Sequence, residues 1–371
     1  MTELADIFRR YGPAYRSKFG ERLLPSHRQA MRAIEQCRTQ ALGGQVYHCD
    51  QCAETRYSYH SCRNRHCPKC QANTGQQWLS NQRELLLPVP YFMLTFTLPA
   101  QLRALTRRQQ RLMVNLLFRA SAAATQQLGR NPRWLGGQIG LIGVLHTWSR
   151  DLMYHPHVHY LAPGGALTDQ GQWRPARNFF LPVKVLSILF RAKFRDALKR
   201  TTLYDQVPAE TWDQPWVVHA QPVGYALPAL NYLARYLFRV ALGNNRILKV
   251  NQGRVTFRFK TNDTGQVRTC TLAAEEFMRR FLQHVLPKGL VKVRYYGFLS
   301  PGQRHRLQQL RQCLAPVTTP PPAVQPQISA ASTPAVQVRS LCCPTCGQAM
   351  RWVQSIRPRG RCPPTATTWA A

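Results

Sequence analysis

The sequence predicts an α+β protein in which a small helical, zinc-binding segment precedes a larger domain of strands and helices. Segments with helical periodicity alternate with short runs rich in aromatic and β-branched residues, and residues 91–98 and 140–148 are the clearest of these predicted strands. Residues 247–250, 255–260 and 267–272 are joined by turn sequences, which predicts a β-meander. Paired cysteines near the N-terminus add a metal site to this arrangement.

The charge of the chain indicates what it binds. It has 50 Lys and Arg residues against 16 Asp and Glu residues, a formal net charge of +34 at pH 7. This excess predicts a polyanionic partner and favours nucleic acid over a membrane surface or an acidic protein. No apolar run is long enough to span a membrane, and the N-terminus, Met1–Asp6, is acidic rather than apolar. We therefore expect a cytoplasmic protein that binds no membrane.

Two C-x-x-C pairs predict a structural zinc site. Cys49 and Cys52 form the first pair, Cys67 and Cys70 form the second, and 14 residues separate the pairs. Four thiolates at this spacing are typical of tetrahedral Zn²⁺, and paired cysteines without an export signal favour metal binding over disulfide bonds. Four further residues are substitute ligands or members of a second, partial site: Cys37, His60, Cys62 and His66.

The loop between the cysteine pairs is basic and aromatic, a composition that suits contact with phosphates and bases. Its predicted DNA contacts are Arg63 and Arg65. The alternative is that the zinc only stabilises a small domain that contacts no DNA.

A histidine pair lies in the predicted strand Tyr154–Tyr160, which contains His157-Val158-His159. In a strand, residues two apart point to the same face, so His157 and His159 would present two imidazoles side by side. Two neutral imidazoles on a rigid strand are half of a divalent-metal site. The alternative is a chance pairing among the 11 histidines of the chain.

A tyrosine pair lies on the predicted helix 227–242. Tyr232 and Tyr236 are four residues apart and share one helix face, while Arg235 and Arg239 form a second pair on an adjoining face and are predicted DNA contacts. Packing alone would explain two such tyrosines. A phenolate is nevertheless a competent nucleophile toward a phosphodiester when a metal polarises the phosphate. An ordinary tyrosine has a pKa near ~10, so it needs this help or a general base.

These motifs, in this order, resemble those of the HUH endonucleases, which are named for a His-hydrophobic-His motif. They resemble more closely the two-tyrosine rolling-circle transposases of the IS91 type. The resemblance rests on residues 59–71, 144–159, 232–236 and 277–299, and it covers about residues 10 to 300.

The resemblance implies a central antiparallel sheet with flanking helices and the histidine pair on a middle strand. It implies an enzyme that nicks one DNA strand at the end of an insertion sequence and joins the 5′ phosphate to Tyr232 or Tyr236. His157 and His159 would hold Mg²⁺ or Mn²⁺, and His146 is our first candidate for a third ligand. The partners would be single-stranded insertion-sequence ends and target DNA. Because the sequence has no P-loop, we expect host replication or helicase factors to separate the strands.

Motifs and composition together predict four segments: a zinc-binding DNA-contact domain (1–86), an HUH two-tyrosine catalytic domain (87–300), a basic helix with a Pro-rich linker (301–340) and a tail (341–371). The tail holds Cys343 and Cys346, with Cys362 in reserve, as a candidate zinc knuckle. Two other functions stay open: a rolling-circle replication initiator, and a non-catalytic zinc-containing DNA-binding regulator.

Overall fold

A computed structural model describes residues 2–176, 180–237, 240–261, 264–314 and 341–358, except for the side chains of 71–77 and 234–237. Within these ranges, no helix combines the length and the apolar character needed to cross a membrane.

The helices of the described ranges follow one another along the chain as α1 (Leu4–Phe19), α2 (Pro25–Gln36), α3 (Pro68–Gln82), α4 (Arg103–Arg108), α5 (Gln110–Arg130), α6 (Val183–Lys199), α7 (Ala226–Leu237), α8 (Ala274–Leu282) and α9 (Arg304–Leu314). The strands are β1 (Gly44–His48), β2 (Thr55–Tyr59), β3 (Pro90–Thr97), β4 (Leu141–Trp148), β5 (Tyr154–Pro163), β6 (Gly165–Leu167), β7 (Trp173–Pro175), β8 (Val218–Tyr225), β9 (Ile247–Asn251), β10 (Arg254–Lys260), β11 (Val267–Ala273), β12 (Val293–Tyr296) and β13 (Arg351–Ile356).

A five-stranded antiparallel sheet forms the centre of the protein, with the strand order β12-β4-β5-β3-β8. The middle strand, β5, is buried along almost its whole length and lies between β4 and β3. The α+β fold class is therefore confirmed, and the histidine pair lies on the middle strand as the resemblance implied.

The two faces of this sheet have different roles. One face packs against α5 and α6 through a core that includes Val158, Tyr160 and Phe190. The hydroxyl of Tyr160 is hydrogen-bonded to Ser121 of α5 at 2.8 Å, which satisfies a polar group inside this core. Since side chains alternate along a strand, His157 and His159 point to the opposite face. That face packs in part against α7 and α9.

A second hydrophobic core joins the N-terminal helices to the predicted β-meander, which forms with the order β11-β10-β9. The rings of Phe8 in α1 and Phe281 in α8 lie 5.6 Å apart in this core. Helices from before residue 86 thus share one core with strands from after it.

A small sheet with the order β13-β1-β2 brings the two ends of the described chain together. Its strand β13 comes from the tail, whose described part is residues 341–358. The tail is therefore not a separate appendage, because it completes a sheet begun near the N-terminus.

Candidate active site

Three histidines meet on the open part of the central sheet. His146 of β4 lies directly opposite His157 of β5, and His159 follows two residues along on the same face. All three side chains are buried, and their ligand nitrogens lie within 4.8 Å of one another. The structure thus places the predicted third residue, His146, beside the predicted pair.

Neighbouring polar groups orient two of these rings. The Nδ1–H of His157 donates to the carbonyl oxygen of His155 at 2.6 Å, which leaves the Nε2 lone pair for a metal ion. Nδ1 of His159 is hydrogen-bonded to the hydroxyl of Thr95 on β3 at 2.9 Å. Such contacts to the outer nitrogen are typical of metal-binding histidines, because they fix the tautomer and the ring orientation.

Burial keeps these rings neutral. Desolvation lowers the pKa of His157 to about 4 and holds the pKa of His159 well below its ordinary value. At neutral pH both rings therefore have the uncharged form that metal coordination requires. Three imidazoles fit a divalent cation, and Mn²⁺ matches this nitrogen donor set better than Mg²⁺, which prefers oxygen ligands.

The triad lies in an open cleft of about 780 Å³. The cleft is lined by hydroxyl groups of the sheet and by cationic side chains from several elements, including Arg103, Arg150 and Lys260. Positive charge around a metal-type site suits a polyanion such as a DNA strand.

Helix α7, which carries the tyrosine pair, folds back over the histidine face. Strand β8 leads directly into α7, and Gly224 turns the chain with a φ of +88°, in the left-handed region that favours glycine. The side-chain amide of Gln221 on β8 donates to the hydroxyl of Tyr232 on α7 at 3.0 Å. His219, two residues before Gln221 on the same face of β8, lines the cleft. The hydroxyl of Tyr232 is therefore held two positions along β8 from a residue that lines the cleft.

The other members of the tyrosine motif are only partly described. Ala226 follows β8 at its far end while Tyr232 reaches back to Gln221, so α7 runs toward the histidine end of the sheet. Tyr236 is one turn further along in that direction. The side chains of Tyr236 and Arg235, and the whole of Arg239, lie outside the described residues.

The predicted zinc ligands do not form a single site. Cys67 and Cys70 lie with Cys37 and Cys62, and the four sulfur atoms are within 4.8 Å of one another. Cys49 and Cys52 belong to a different cluster, so the predicted grouping of Cys49, Cys52, Cys67 and Cys70 is wrong.

The reason is the hairpin of β1 and β2. Cys49 and Cys52 lie in the turn at its tip, whereas Cys37 and Cys62 flank its base, where the amide of Arg38 donates to the carbonyl of His60 at 3.1 Å. Two strands of five residues separate tip from base by roughly 16 Å, too far for shared ligation. The near-symmetric placement of Cys37 and Cys62 around the hairpin was the sequence signal for the correct set.

The predicted DNA contacts of the loop have different surroundings. Arg63 is exposed. Arg65 is partly buried and donates to three carbonyl oxygens, those of Leu286, Pro287 and Leu290, at 2.8 to 3.3 Å. Arg65 therefore fixes a backbone loop, and its contact with DNA stays a prediction.

Sequence reasoning missed Thr95 and His219, although both belong to the cleft. The two residues lie in one row across neighbouring strands with His159. Thr95 of β3 pairs with His159 of β5 on one side and with His219 of β8 on the other. Such a row depends on strand order, which the sequence does not state. The signal was weak, because a lone Thr or His in a strand has no distinctive spacing.

Comparisons with known proteins agree with these motifs. A family model described as "Putative transposase" matches residues 140–307, and a "Transposase zinc-binding domain" model of the IS91 type matches residues 7–98. The chain is 43% identical over 334 residues to "Putative transposase y4qJ" of Sinorhizobium fredii, covering 84% of this chain and 83% of that protein. It is 27% identical over 352 residues to "Transposase for insertion sequence element IS801" of Pseudomonas savastanoi pv. phaseolicola, covering 86% and 82% respectively.

No solved structure matches the chain. The resemblance that the motifs indicated is confirmed by two independent family models and by relatives that align over most of their length. The chain belongs to the IS91 family of transposases, with a zinc-binding domain joined to a domain that acts on DNA.

Proposed function

We propose that the protein cleaves one DNA strand at the end of its insertion sequence through a 5′-phosphotyrosine intermediate, in a rolling-circle pathway. The observation that carries the proposal is the hydrogen bond from Gln221 to Tyr232, which holds the Tyr232 hydroxyl on β8 two positions from His219, a residue of the cleft that contains three buried histidines. A nucleophile beside a metal-type site is the arrangement that metal-assisted phosphoryl transfer needs.

The chemistry is a transesterification at phosphorus. The phenol oxygen of Tyr232 or Tyr236 forms a bond to the scissile phosphorus, and the bond from phosphorus to the 3′ oxygen breaks. The phenol proton is lost and the leaving 3′ oxygen gains a proton, which gives a 3′-OH strand and a 5′-phosphotyrosine. A divalent ion held by His146, His157 and His159 would polarise the phosphate. Gln221 orients the ring of Tyr232 by donating to its hydroxyl.

The proposal is tested with a labelled single-stranded oligonucleotide that carries the element's end. Incubation with the protein and Mn²⁺ should give a protein–DNA adduct that resists denaturant, together with a shortened strand that ends in 3′-OH. EDTA should abolish both products. Salt-sensitive binding without cleavage across varied end sequences would contradict the proposal and favour the zinc-containing regulator.

We propose that the single strand continues from the cleft onto the β-meander. A second cavity of about 500 Å³ shares Arg150, Phe259 and Lys260 with the cleft and adds Arg246 and Arg258. The cationic side chains shared by the two cavities suit the phosphates of a single-stranded backbone.

Replacing Arg258 and Lys260 with glutamine should weaken single-stranded DNA binding and flatten its salt dependence. Each lost phosphate contact lowers the slope of log K against log salt by about 0.7, so the double variant should lose about 1.4. Fluorescence anisotropy at several salt concentrations measures this slope. The matched control replaces Lys249 and Arg254, exposed residues of the same meander outside both cavities. Equal slopes for the two double variants would contradict the proposed path.

Thr95 is proposed as a positioning residue for the metal, since it holds Nδ1 of His159. Thr95→Val should raise the Mn²⁺ concentration needed for half-maximal cleavage by about 10- to 100-fold, with little change in the rate at saturating metal. Thr95→Ser retains the hydroxyl and should restore the affinity. A lower saturating rate with unchanged Mn²⁺ dependence would show that Thr95 acts in some other way.

Two further expectations concern the cell. Strand separation would come from host replication or helicase factors, and the expected site of action is the cytoplasm.

A replication initiator would use the same chemistry, but the relatives that match are transposases. The regulator alternative gives no reason for three buried histidines grouped in a cleft with cationic side chains.

A further inference from the structure

A second four-cysteine cluster lies at the tip of the β1–β2 hairpin. Cys49 and Cys52 come from the hairpin turn, and Cys343 and Cys346 come from the tail. Their sulfur atoms are within 4.8 Å of one another, and Sγ of Cys52 lies 3.3 Å from that of Cys343 and 3.4 Å from that of Cys49. The two halves of this cluster are 291 positions apart in the chain.

The geometry suits one tetrahedral metal ion. Four thiolates at the usual Zn–S length of about 2.3 Å lie about 3.8 Å from one another. The four sulfurs are already close to this separation, with Sγ of Cys52 and Cys346 at 3.7 Å, and far beyond the length of a disulfide bond.

The two halves also have the same backbone turn. The amide of Cys49 donates to the carbonyl of Glu54 at 2.9 Å, and the amide of Cys343 donates to the carbonyl of Gln348 at 2.8 Å. In each half the first cysteine of the C-x-x-C pair thus bonds to the residue five positions on. Two matching turns that face each other present four sulfurs to one point, which is how paired zinc knuckles bind their ion.

We propose that Cys49, Cys52, Cys343 and Cys346 bind one Zn²⁺, and that this ion fastens the tail to the N-terminal hairpin. Apart from the metal, the tail is held by the backbone pairing of β13 with β1 and by exposed side-chain contacts such as that of Thr345 with Glu54. The apolar cluster at this point is small, with Cys49, Cys343 and Met350 as its buried members. The ion pair of Asp50 with Arg351, at 3.0 Å, is largely exposed and adds little.

The consequence is that the small sheet depends on the ion. Strand β13 pairs with one edge of β1, and β2 pairs with the other. Without β13, β1 and β2 form a two-stranded hairpin, which is marginally stable in water. Because so little apolar surface is buried here, metal binding supplies much of the free energy that keeps the tail docked.

The first test counts zinc in full-length protein by metal analysis and native mass spectrometry. Cys343→Ser/Cys346→Ser should contain one Zn²⁺ per chain fewer than the parent, and Cys49→Ser/Cys52→Ser should lose the same amount. The matched control is Cys270→Ser/Cys313→Ser, whose cysteines lie outside both clusters and which should lose none. Parental zinc content in the Cys343→Ser/Cys346→Ser protein would overturn the proposal.

The second test needs no variant and therefore does not depend on a variant's folding. Cys52 and Cys313 are both exposed, so an alkylating reagent should modify both unless a metal holds one of them. In zinc-loaded protein we expect rapid modification of Cys313 and protection of Cys49, Cys52, Cys343 and Cys346, as mapped by peptide mass spectrometry. A chelator should expose these four cysteines together. Rapid alkylation of Cys343 and Cys346 while Cys49 and Cys52 stay protected would overturn the shared site.

Discussion

A protein in which Tyr232 and Tyr236 are both replaced by phenylalanine is expected to bind end DNA normally and to form no covalent adduct. The substitution removes only the two hydroxyls, so the ring of Tyr232 can still pack against the core beneath α7. Without a phenol oxygen no bond to phosphorus can form, and strand cleavage should fall below detection. Adduct formation on a labelled oligonucleotide in denaturing gels measures this loss, and anisotropy measures the retained binding.

The single variants and a matched control sharpen this result. Tyr225→Phe removes a hydroxyl from an exposed tyrosine at the end of β8, and it should leave cleavage unchanged. Each of Tyr232→Phe and Tyr236→Phe should lose part of the activity, since the other phenol remains available to attack the phosphorus. Full adduct yield from the double variant would remove both residues from the mechanism.

Replacing His157 and His159 should have the second large effect. His157→Ala and His159→Ala each remove one imidazole from the triad, and a metal that polarises the phosphate contributes several kcal/mol to the transition state. We therefore expect cleavage to fall by about 10³-fold or more at fixed Mn²⁺. Single-stranded DNA binding at low salt should persist, because the cationic groups of the cleft remain.

The measurement is the initial cleavage rate across a Mn²⁺ titration. His305→Ala, at an exposed position on α9, is the control for a histidine outside the triad and should match the parent. Because the triad is buried, the melting temperature of each variant should be measured, and His157→Gln supplies a second, larger replacement at the same position. An unchanged Mn²⁺ response in folded His157→Ala protein would show that the triad does not serve the reaction.

The histidine site was predictable because local geometry determines it. A strand has a side-chain period of two, so His157 and His159 share a face whatever surrounds them. His146 was a reasonable third member because a neighbouring antiparallel strand returns a residue to the same place, here directly opposite His157.

The other features depended on contacts between distant parts of the chain. The meeting of Tyr232 with the histidine face requires that α7 turn back along β8, and spacing within the helix says nothing about that turn. The predicted grouping of the zinc ligands was wrong for a related reason. The spacing between Cys52 and Cys67 suggested one site, but the rigid β1–β2 hairpin holds Cys49 and Cys52 at its tip, where the tail supplies the partners.

The residue that carries the DNA can be identified directly. Adduct formed by parent protein with Mn²⁺ would be digested with a protease and a nuclease, and the nucleotide-bearing peptide would be sequenced by mass spectrometry. We expect a peptide from α7, with the modification on Tyr232 or Tyr236. Modification of a residue outside α7, or cleavage to a free 5′ phosphate with no adduct at any time, would contradict this expectation.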